Sequence, residues 1–317
     1  MSIVLTFPGQ GSQVVGMGKA LAENFIPARR VFEEVDDALD QKLSALMWEG
    51  SSDALSLTVN TQPALMAVSL AVLRALESET DLDVARDAAY VAGHSLGEYS
   101  ALAGAGGIDL ADTARLLRIR GEAMQDAVPV RVGAMAAILG LDFEAVVEIA
   151  EEAAQNDICA VANDNGPGQV VVSGHADAVN RAIQLAQARG AKRAILLPVS
   201  APFHCPLMQP AAERMRDALS RIDISPPRAP IFANVLAAPV DSPADIKDAL
   251  VSQVTGTVRW RESVSAMADD GVDFFIELGS GKVLTGLAKR IAPGSRALSV
   301  GGPDDFAGFI EALQLTR

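Results

Sequence analysis

Residues 88–100 read Ala-Ala-Tyr-Val-Ala-Gly-His-Ser-Leu-Gly-Glu-Tyr-Ser. A short apolar run, Ala88–Gly93, predicts a strand, and a helical pattern begins at Leu96. Between them stands Gly93-His94-Ser95-Leu96-Gly97, the Gly-x-Ser-x-Gly form in the strand–turn–helix setting of a nucleophile elbow. The glycines allow a tight turn that lifts the serine hydroxyl clear of the sheet. The helix N-terminus behind it offers N–H groups to a developing oxyanion. The bland alternative is an ordinary turn whose serine caps a helix.

Outward from this stretch the same alternation recurs. Ser2–Phe7 predicts a strand followed by the Gly-rich turn Pro8–Ser12, and Ala194–Ser200, Pro230–Val235 and Phe274–Leu278 are further strand candidates. Helical patterns cover Met17–Phe25, Thr61–Glu77, Leu110–Ala127 and Lys282–Ile291. Strand–helix alternation points to an α/β fold with a mainly parallel sheet. Residues 130–197 have their own rhythm. Strands at Gly133–Leu139, Ile158–Val161, Gln169–Ser173 and Ala194–Leu197 alternate with helices at Phe143–Gln155 and Ala176–Arg189, with an Asn-Asp-Asn-Gly turn between the middle strands. That order, β-α-β-β-α-β, is the ferredoxin-like unit. The expected organisation is a large α/β domain of residues 1–129 and 198–317, with residues 130–197 as an inserted small subdomain.

Composition narrows the function. The 317 residues are half hydrophobic and 21% charged, which excludes disordered, collagenous and disulfide-scaffold chains. Twenty-six basic against 40 acidic side chains leave a net charge of −14, opposed to the basic field that nucleic-acid binding needs. The N-terminus has no basic, apolar leader, and no stretch approaches the roughly 18 uninterrupted apolar residues of a membrane span. A cytoplasmic protein that touches neither membrane nor nucleic acid is expected, with Cys159 and Cys205 reduced. The expected state is a monomer.

A serine nucleophile needs a base, and the chain has three histidines. His94 adjoins Ser95, so its side chain points elsewhere. His175 lies at a helix start in the small unit. His204, in Ser200-Ala201-Pro202-Phe203-His204-Cys205-Pro206, stands just past a predicted core strand, where loops of parallel sheets face a ligand. By elimination His204 is the base. No Asp or Glu has a setting that marks it as third member, and a backbone or amide carbonyl could orient the imidazole instead. In the helix Leu110–Ala127, Arg120 shares a face with Leu116, Leu117 and Met124. A buried arginine needs an anionic partner: an internal salt bridge, or a substrate carboxylate gripped by the guanidinium fork. Three decoys fall away. Gly279-Ser280-Gly281-Lys282 lacks the first glycine and the Ser/Thr of a phosphate loop, leaving at most an anion site at that helix start. Gly9-Gln10-Gly11 has Val14 where a dinucleotide fingerprint needs glycine. No His or Cys has metal-ligand spacing, so no metal site is expected.

Together these residues resemble the malonyl-CoA:acyl carrier protein transacylases of type II fatty acid synthesis. The landmarks are Phe7-Pro8-Gly9-Gln10-Gly11-Ser12-Gln13, Gly93–Ser100, Arg118-Ile119-Arg120-Gly121, Pro202-Phe203-His204 and Glu277–Leu284, spread over nearly the whole chain. The resemblance implies an α/β-hydrolase-like core with an inserted ferredoxin-like subdomain. It implies Ser95 as nucleophile, His204 as base, and Arg120 as the malonyl carboxylate ligand. It further implies the Gln10 and Leu96 N–H groups as oxyanion hole, and Gln253, seven residues before Trp260, as supplier of the carbonyl that orients His204. Phe203 resembles the residue of malonyl-selecting forms. The implied reaction is ping-pong, with malonyl-CoA as donor, acyl carrier protein as acceptor, free coenzyme A as product and no cofactor. A serine hydrolase would not need the inward arginine. A polyketide acyltransferase would share the motifs, and a non-catalytic carrier-binding protein would not need the full set. An acidic carrier must dock on a local basic patch; Lys192 and Lys289 are the expected docking residues, among Arg189, Arg193, Lys282 and Arg290.

Overall fold

The computed structural model describes residues 2–129 and 131–314; Val130, at the expected domain boundary, lies outside them. Ten strands occur among the described residues: β1 (Ile3–Phe7), β2 (Ala88–Gly93), β3 (Gly133–Leu139), β4 (Cys159–Gly166), β5 (Gln169–His175), β6 (Arg193–Leu196), β7 (Ile231–Ala233), β8 (Ala238–Val240), β9 (Phe274–Leu278) and β10 (Arg296–Val300). They form two sheets. The larger has the order β10-β9-β1-β2-β7-β8, parallel except for the short antiparallel edge strand β8. Every residue of β1 and β9 is buried, because helices cover both faces of a parallel sheet. The chain lays β2 on one side of β1 and later returns to lay β9 on the other, so the strand order reverses there. Crevices at the carboxyl ends of strands at such a switch point are where open α/β sheets bind ligands.

The smaller sheet, β4-β5-β3-β6, is antiparallel throughout and carries helices Phe143–Ala154 and Ala176–Ala188. This is the ferredoxin-like order, with its own core of Ile138, Val146, Ile149, Val172 and Val179. Two expectations fail here. The Asn-Asp-Asn-Gly segment is not a turn: β4 runs through Gly166, and the hairpin turns at Pro167-Gly168. Tertiary partners override turn propensity, since buried Asp164 pairs with Arg261 at 2.8 Å and Asn163 bridges to Val258. The strand expected over Ala194–Ser200 is only β6, the outer strand of the small sheet, with Arg193, Ile195 and Leu196 exposed. His204 therefore follows an irregular stretch after a small-sheet edge strand, not a strand of the parallel core.

The helix Thr58–Glu79 is long and apolar enough to cross a membrane, yet 89% of its 18-residue apolar window is buried inside the fold. It packs on Leu110–Asp126 and Ile26–Ala38 as the central core helix. Gly121 makes the first of these contacts close. A Cβ there would stand 2.8 Å from both the Thr58 carbonyl oxygen and the Val59 Cα. Cys159 and Cys205 are buried free thiols.

Gly97 is pressed against β1, where a Cβ would collide with the Phe7 carbonyl oxygen, whereas one on Gly286 in the helix Val283–Ile291 would meet nothing within 4 Å. Gly97→Ala should lower stability in urea by about 1–3 kcal/mol through overpacking. Gly286→Ala should be neutral or stabilising by up to about 1 kcal/mol.

Candidate active site

β1 and β2 are parallel neighbours with Phe7 paired to Gly93, and His94 N–H donates to the Phe7 carbonyl at 3.0 Å. The loops that leave the two strands therefore emerge side by side. One carries Gln10, the other Ser95 and Leu96. Ser95 has φ +55°, in the left-handed region that non-glycine residues seldom occupy. The turn is held there by Asn234, whose Oδ1 accepts from Ser95 N–H at 2.7 Å while its Nδ2 donates to the Gly93 carbonyl at 2.7 Å. The helix Gly97–Gly104 starts directly behind it.

The Ser95 Oγ lies 2.7 Å from His204 Nε2. His204, also left-handed at φ +57°, places its Nδ1 2.8 Å from the backbone carbonyl oxygen of Gln253. A carbonyl only accepts, so the proton sits on Nδ1 and Nε2 is free to take the serine proton. The orienting group is thus the main-chain oxygen of Gln253 rather than a carboxylate. Arg120, 1% exposed, donates from Nη2 to Ser95 Oγ at 3.1 Å and to Gln253 Oε1 at 2.8 Å, and from Nη1 to Gln62 Oε1 at 2.8 Å. Its Nε is buried without a partner among the described residues. Ser95, His204, Arg120, Gln10, Leu96 and Phe203 all line one cavity of about 450 Å³. Among the described residues the backbone N–H groups of Gln10 and Leu96 donate to no other protein group, so both are free for a ligand.

Burial, then the Arg120 charge, push the His204 imidazole down to about 3, so it stands as neutral base. Burial pushes the Glu98 carboxyl up to about 7, against the hydrogen bonds from Gln253 and Asn234 and the Arg120 charge.

His94 turns from Ser95 to Asn165, Nε2 to Oδ1 at 2.7 Å. His175 accepts from Ile158 N–H at 2.9 Å in the small sheet, and has no part in the cavity. The helix start after Gly279–Lys282 is no anion site, because the buried Glu277 carboxylate already accepts from Leu284 and Thr285 N–H. Neither expected docking lysine lines the cavity. Lys289 lies beside Phe274 and Arg296, the first residues of β9 and β10, at the end of the sheet remote from Ser95. Lys192 packs beside Gly140, before β6 begins. Lys282 does adjoin the loop that carries Gln10, since Ser280 Oγ donates to Ser12 O at 2.6 Å. Gln62, Glu98 and Asn234 belong to the constellation and are missing from the sequence reading. The one signal available for Gln62 was a polar residue inside an apolar helical run.

The chain matches the acyl transferase domain family over residues 4–301. It is 44% identical to the malonyl CoA-acyl carrier protein transacylase of Bacillus subtilis, over 98% of this chain and 97% of that one. The chain belongs to this transacylase family. A solved acyl-carrier-protein S-malonyltransferase from Bartonella henselae superposes with a TM-score of 0.97 at 55% identity, over 99% of this chain and 100% of that one. A malonyl-transacylase solved with its type II polyketide acyl-carrier protein superposes at 0.95 with 41% identity, over 98% and 100%.

The buried neutral His204 ties stability to pH. Its folded value is depressed from the ordinary 6.5, so its contribution is present above pH 6.5 and is lost as the pH falls toward about 3. The urea midpoint should fall more steeply between pH 6.5 and 4 in the wild type than in His204→Gln. Glu98, whose raised carboxyl acts in the opposite sense, is common to both proteins.

Proposed function

We propose that the chain moves malonyl from malonyl-CoA to the phosphopantetheine thiol of acyl carrier protein through a malonyl ester on Ser95. The observation that carries this reading is the placing of one serine oxygen within hydrogen-bond distance of both His204 Nε2 and the Arg120 guanidinium. His204 takes the Ser95 proton as Oγ attacks the thioester carbonyl. The Gln10 and Leu96 N–H groups receive the oxyanion. The tetrahedral intermediate collapses, the C–S bond breaks, and His204 returns the proton to the departing coenzyme A thiol. The carrier thiol then gives its proton to His204 and attacks the ester, and the released Ser95 oxygen takes that proton back. Arg120 pairs with the malonyl carboxylate throughout, and Phe203 fills the space beside it. The reaction so written needs no group beyond the two thiols, the thioester and these residues.

The reading takes residues 131–197 as an inserted lobe and the protein as a cytoplasmic monomer whose apolar helix Thr58–Glu79 is core. The carrier is that of fatty acid synthesis. A type II polyketide carrier is the second reading, favoured by the likeness to the transacylase solved with one. Docking draws on Lys282 rather than Lys192 or Lys289. Arg189 and Arg290 are already engaged, with Glu148 and Gln169 respectively.

Wild type incubated with malonyl-CoA should gain one malonyl group by intact mass, and added carrier protein should remove it. Ser95→Ala should gain none, and His204→Ala should acylate about 10²–10⁴ times more slowly. An adduct on Ser95→Ala would sink the assignment. Arg120→Ala should lower malonyl kcat/KM by roughly 10- to 100-fold, the worth of a charge-assisted fork. Acetyl transfer should hold steady, whereas equal loss on both substrates would make the arginine structural.

Carrier docking has its own comparison. Lys282→Glu should raise KM for the carrier, less so in high salt, and leave KM for malonyl-CoA unchanged. Lys289→Glu should change neither.

A further inference from the structure

Among the described residues no Asp or Glu lines the cavity, and Arg120 is its one permanently charged side chain. The guanidinium still has supports. Nη1 donates to Gln62 Oε1 at 2.8 Å and Nη2 to Gln253 Oε1 at 2.8 Å. Both are amide oxygens, which satisfy a donor without cancelling its charge. Glu98, the acid whose charge acts on Arg120, touches only the far end of the Gln253 amide and stands outside the cavity.

The two supports differ in what else they hold. Gln253 is committed on every side: Nε2 donates to the Ser95 carbonyl and to Glu98 Oε2, and the main-chain oxygen orients His204. Gln62 lines the cavity itself, 1% exposed, and its NH₂ meets only Met124 Sδ, a weak acceptor, at 3.8 Å. Its one strong bond is the one to Arg120. Glutamic acid has the same length as glutamine. At position 62 its carboxylate would keep that bond and add a full negative charge. Arg120 would then be paired from within, and a substrate carboxylate would arrive as a second anion on one guanidinium.

We propose that Gln62 determines the class of acyl group: it supports Arg120 through a neutral oxygen and so leaves the guanidinium charge for the carboxylate of a dicarboxylic acyl group. The inference rests on the malonyl-transfer reading of the site. It adds that the arginine alone does not set the choice of acyl group. With an acid at position 62, the same Ser95 and His204 would serve acetyl and refuse malonyl.

Two substitutions of nearly equal size separate charge from support. Gln62→Glu strengthens the bond to Arg120 and cancels its charge. Gln62→Met removes the bond and leaves the charge. A residue that merely braces Arg120 would tolerate the first change better than the second. A residue that keeps the charge available must show the reverse order.

The test measures kcat/KM of full-length wild type, Gln62→Glu and Gln62→Met, with malonyl-CoA and acetyl-CoA as donors and carrier protein as acceptor. Thermal unfolding confirms that each is folded. Gln62→Glu should lower malonyl kcat/KM by about 100-fold or more, the scale of like charges set against each other in a buried site. It should change acetyl kcat/KM less than about fivefold. Gln62→Met should lower malonyl kcat/KM by only about 3- to 10-fold, the loss of one hydrogen bond to the guanidinium. Its malonyl-to-acetyl ratio should stay within about tenfold of the wild type. Malonyl transfer by Gln62→Glu as good as that by Gln62→Met, or equal losses with the two donors in Gln62→Glu, would overturn the proposal. If Gln62→Glu is not recovered folded, Gln62→Met decides alone: a ratio kept within about tenfold supports the proposal, and a larger fall makes Gln62 a brace and overturns it. The intact mass of wild type after malonyl-CoA separates the two readings. A missing adduct overturns malonyl transfer itself, whereas a normal adduct with Gln62→Glu still selecting malonyl overturns only the role of Gln62.

Discussion

A guanidinium sealed from water is the constraint on which this site depends. Removing an unpaired cation from solvent is costly, and among the described residues no carboxylate pairs with Arg120. Amide oxygens of Gln62 and Gln253 hold it instead, with the Tyr99 ring 5.7 Å away. Each support is itself positioned by the fold. Gln62 is in reach because Gly121 lets the two core helices touch. Gln253 closes the helix Pro243–Gln253 and meets the elbow through a 3.0 Å bond from Nε2 to the Ser95 carbonyl. The same residue thus orients the base through its main chain and the arginine through its side chain.

The Arg120 charge also acts on His204, lowering its basicity beyond what burial does. Two unit charges about 5 Å apart at an effective dielectric near 20 interact by roughly 3 kcal/mol. In the proposed transfer the arriving malonyl carboxylate neutralises Arg120 and removes much of that burden from the imidazole. The substrate would then raise the basicity of its own general base on binding. Acetyl-CoA brings no such charge. Selectivity of this kind falls on the transition state, where the imidazolium forms, and not on ground-state binding alone.

Much of this was legible in the sequence because the deciding residues carry local signals. Gly93–Gly97 marks the elbow by its strand and helix. Arg120 marks itself by sharing a face with Leu116, Leu117 and Met124. The β-α-β-β-α-β order is written in hydrophobic periodicity. What was missed depends on contacts distant in sequence. Asn234 is 139 residues from Ser95 and Gln253 is 155 from Glu98, so nothing in their neighbourhoods announces the pairing. Asn163–Gly166 has turn composition but extends β4, because Arg261 and Val258 supply partners that no local rule contains. Lys192 and Lys289 stand out in the sequence by charge alone. Charge does not reveal that the helix Val283–Ile291 carries Lys289 away from the end of the sheet where Ser95 lies.

The second sheet matters to the chemistry through what it covers. Met135, Asn163, Asn165 and Val171 form cavity wall facing the elbow. That wall is fastened by the His94–Asn165 bond to the elbow, and by the Asp164–Arg261 pair and the Asn163–Val258 bridge to the start of the helix Trp260–Asp269 and the residues before it. A serine ester is open to water as well as to thiol, and the same His204 would serve either nucleophile. To be activated, a water must sit within hydrogen-bond reach of Nε2, where the carrier sulfur would also sit, and it must find two or more further polar partners to be held there. Met124, Met135, Val171 and Phe203 offer such a water none, whereas Arg120, Asn163 and Asn165 line the same cavity and could hold one. A thiol needs no hydration shell and loses little against the methionine, valine and phenylalanine side chains. Transfer is favoured over hydrolysis only where the carrier arm, filling the cavity, displaces such a water before His204 Nε2 can activate it.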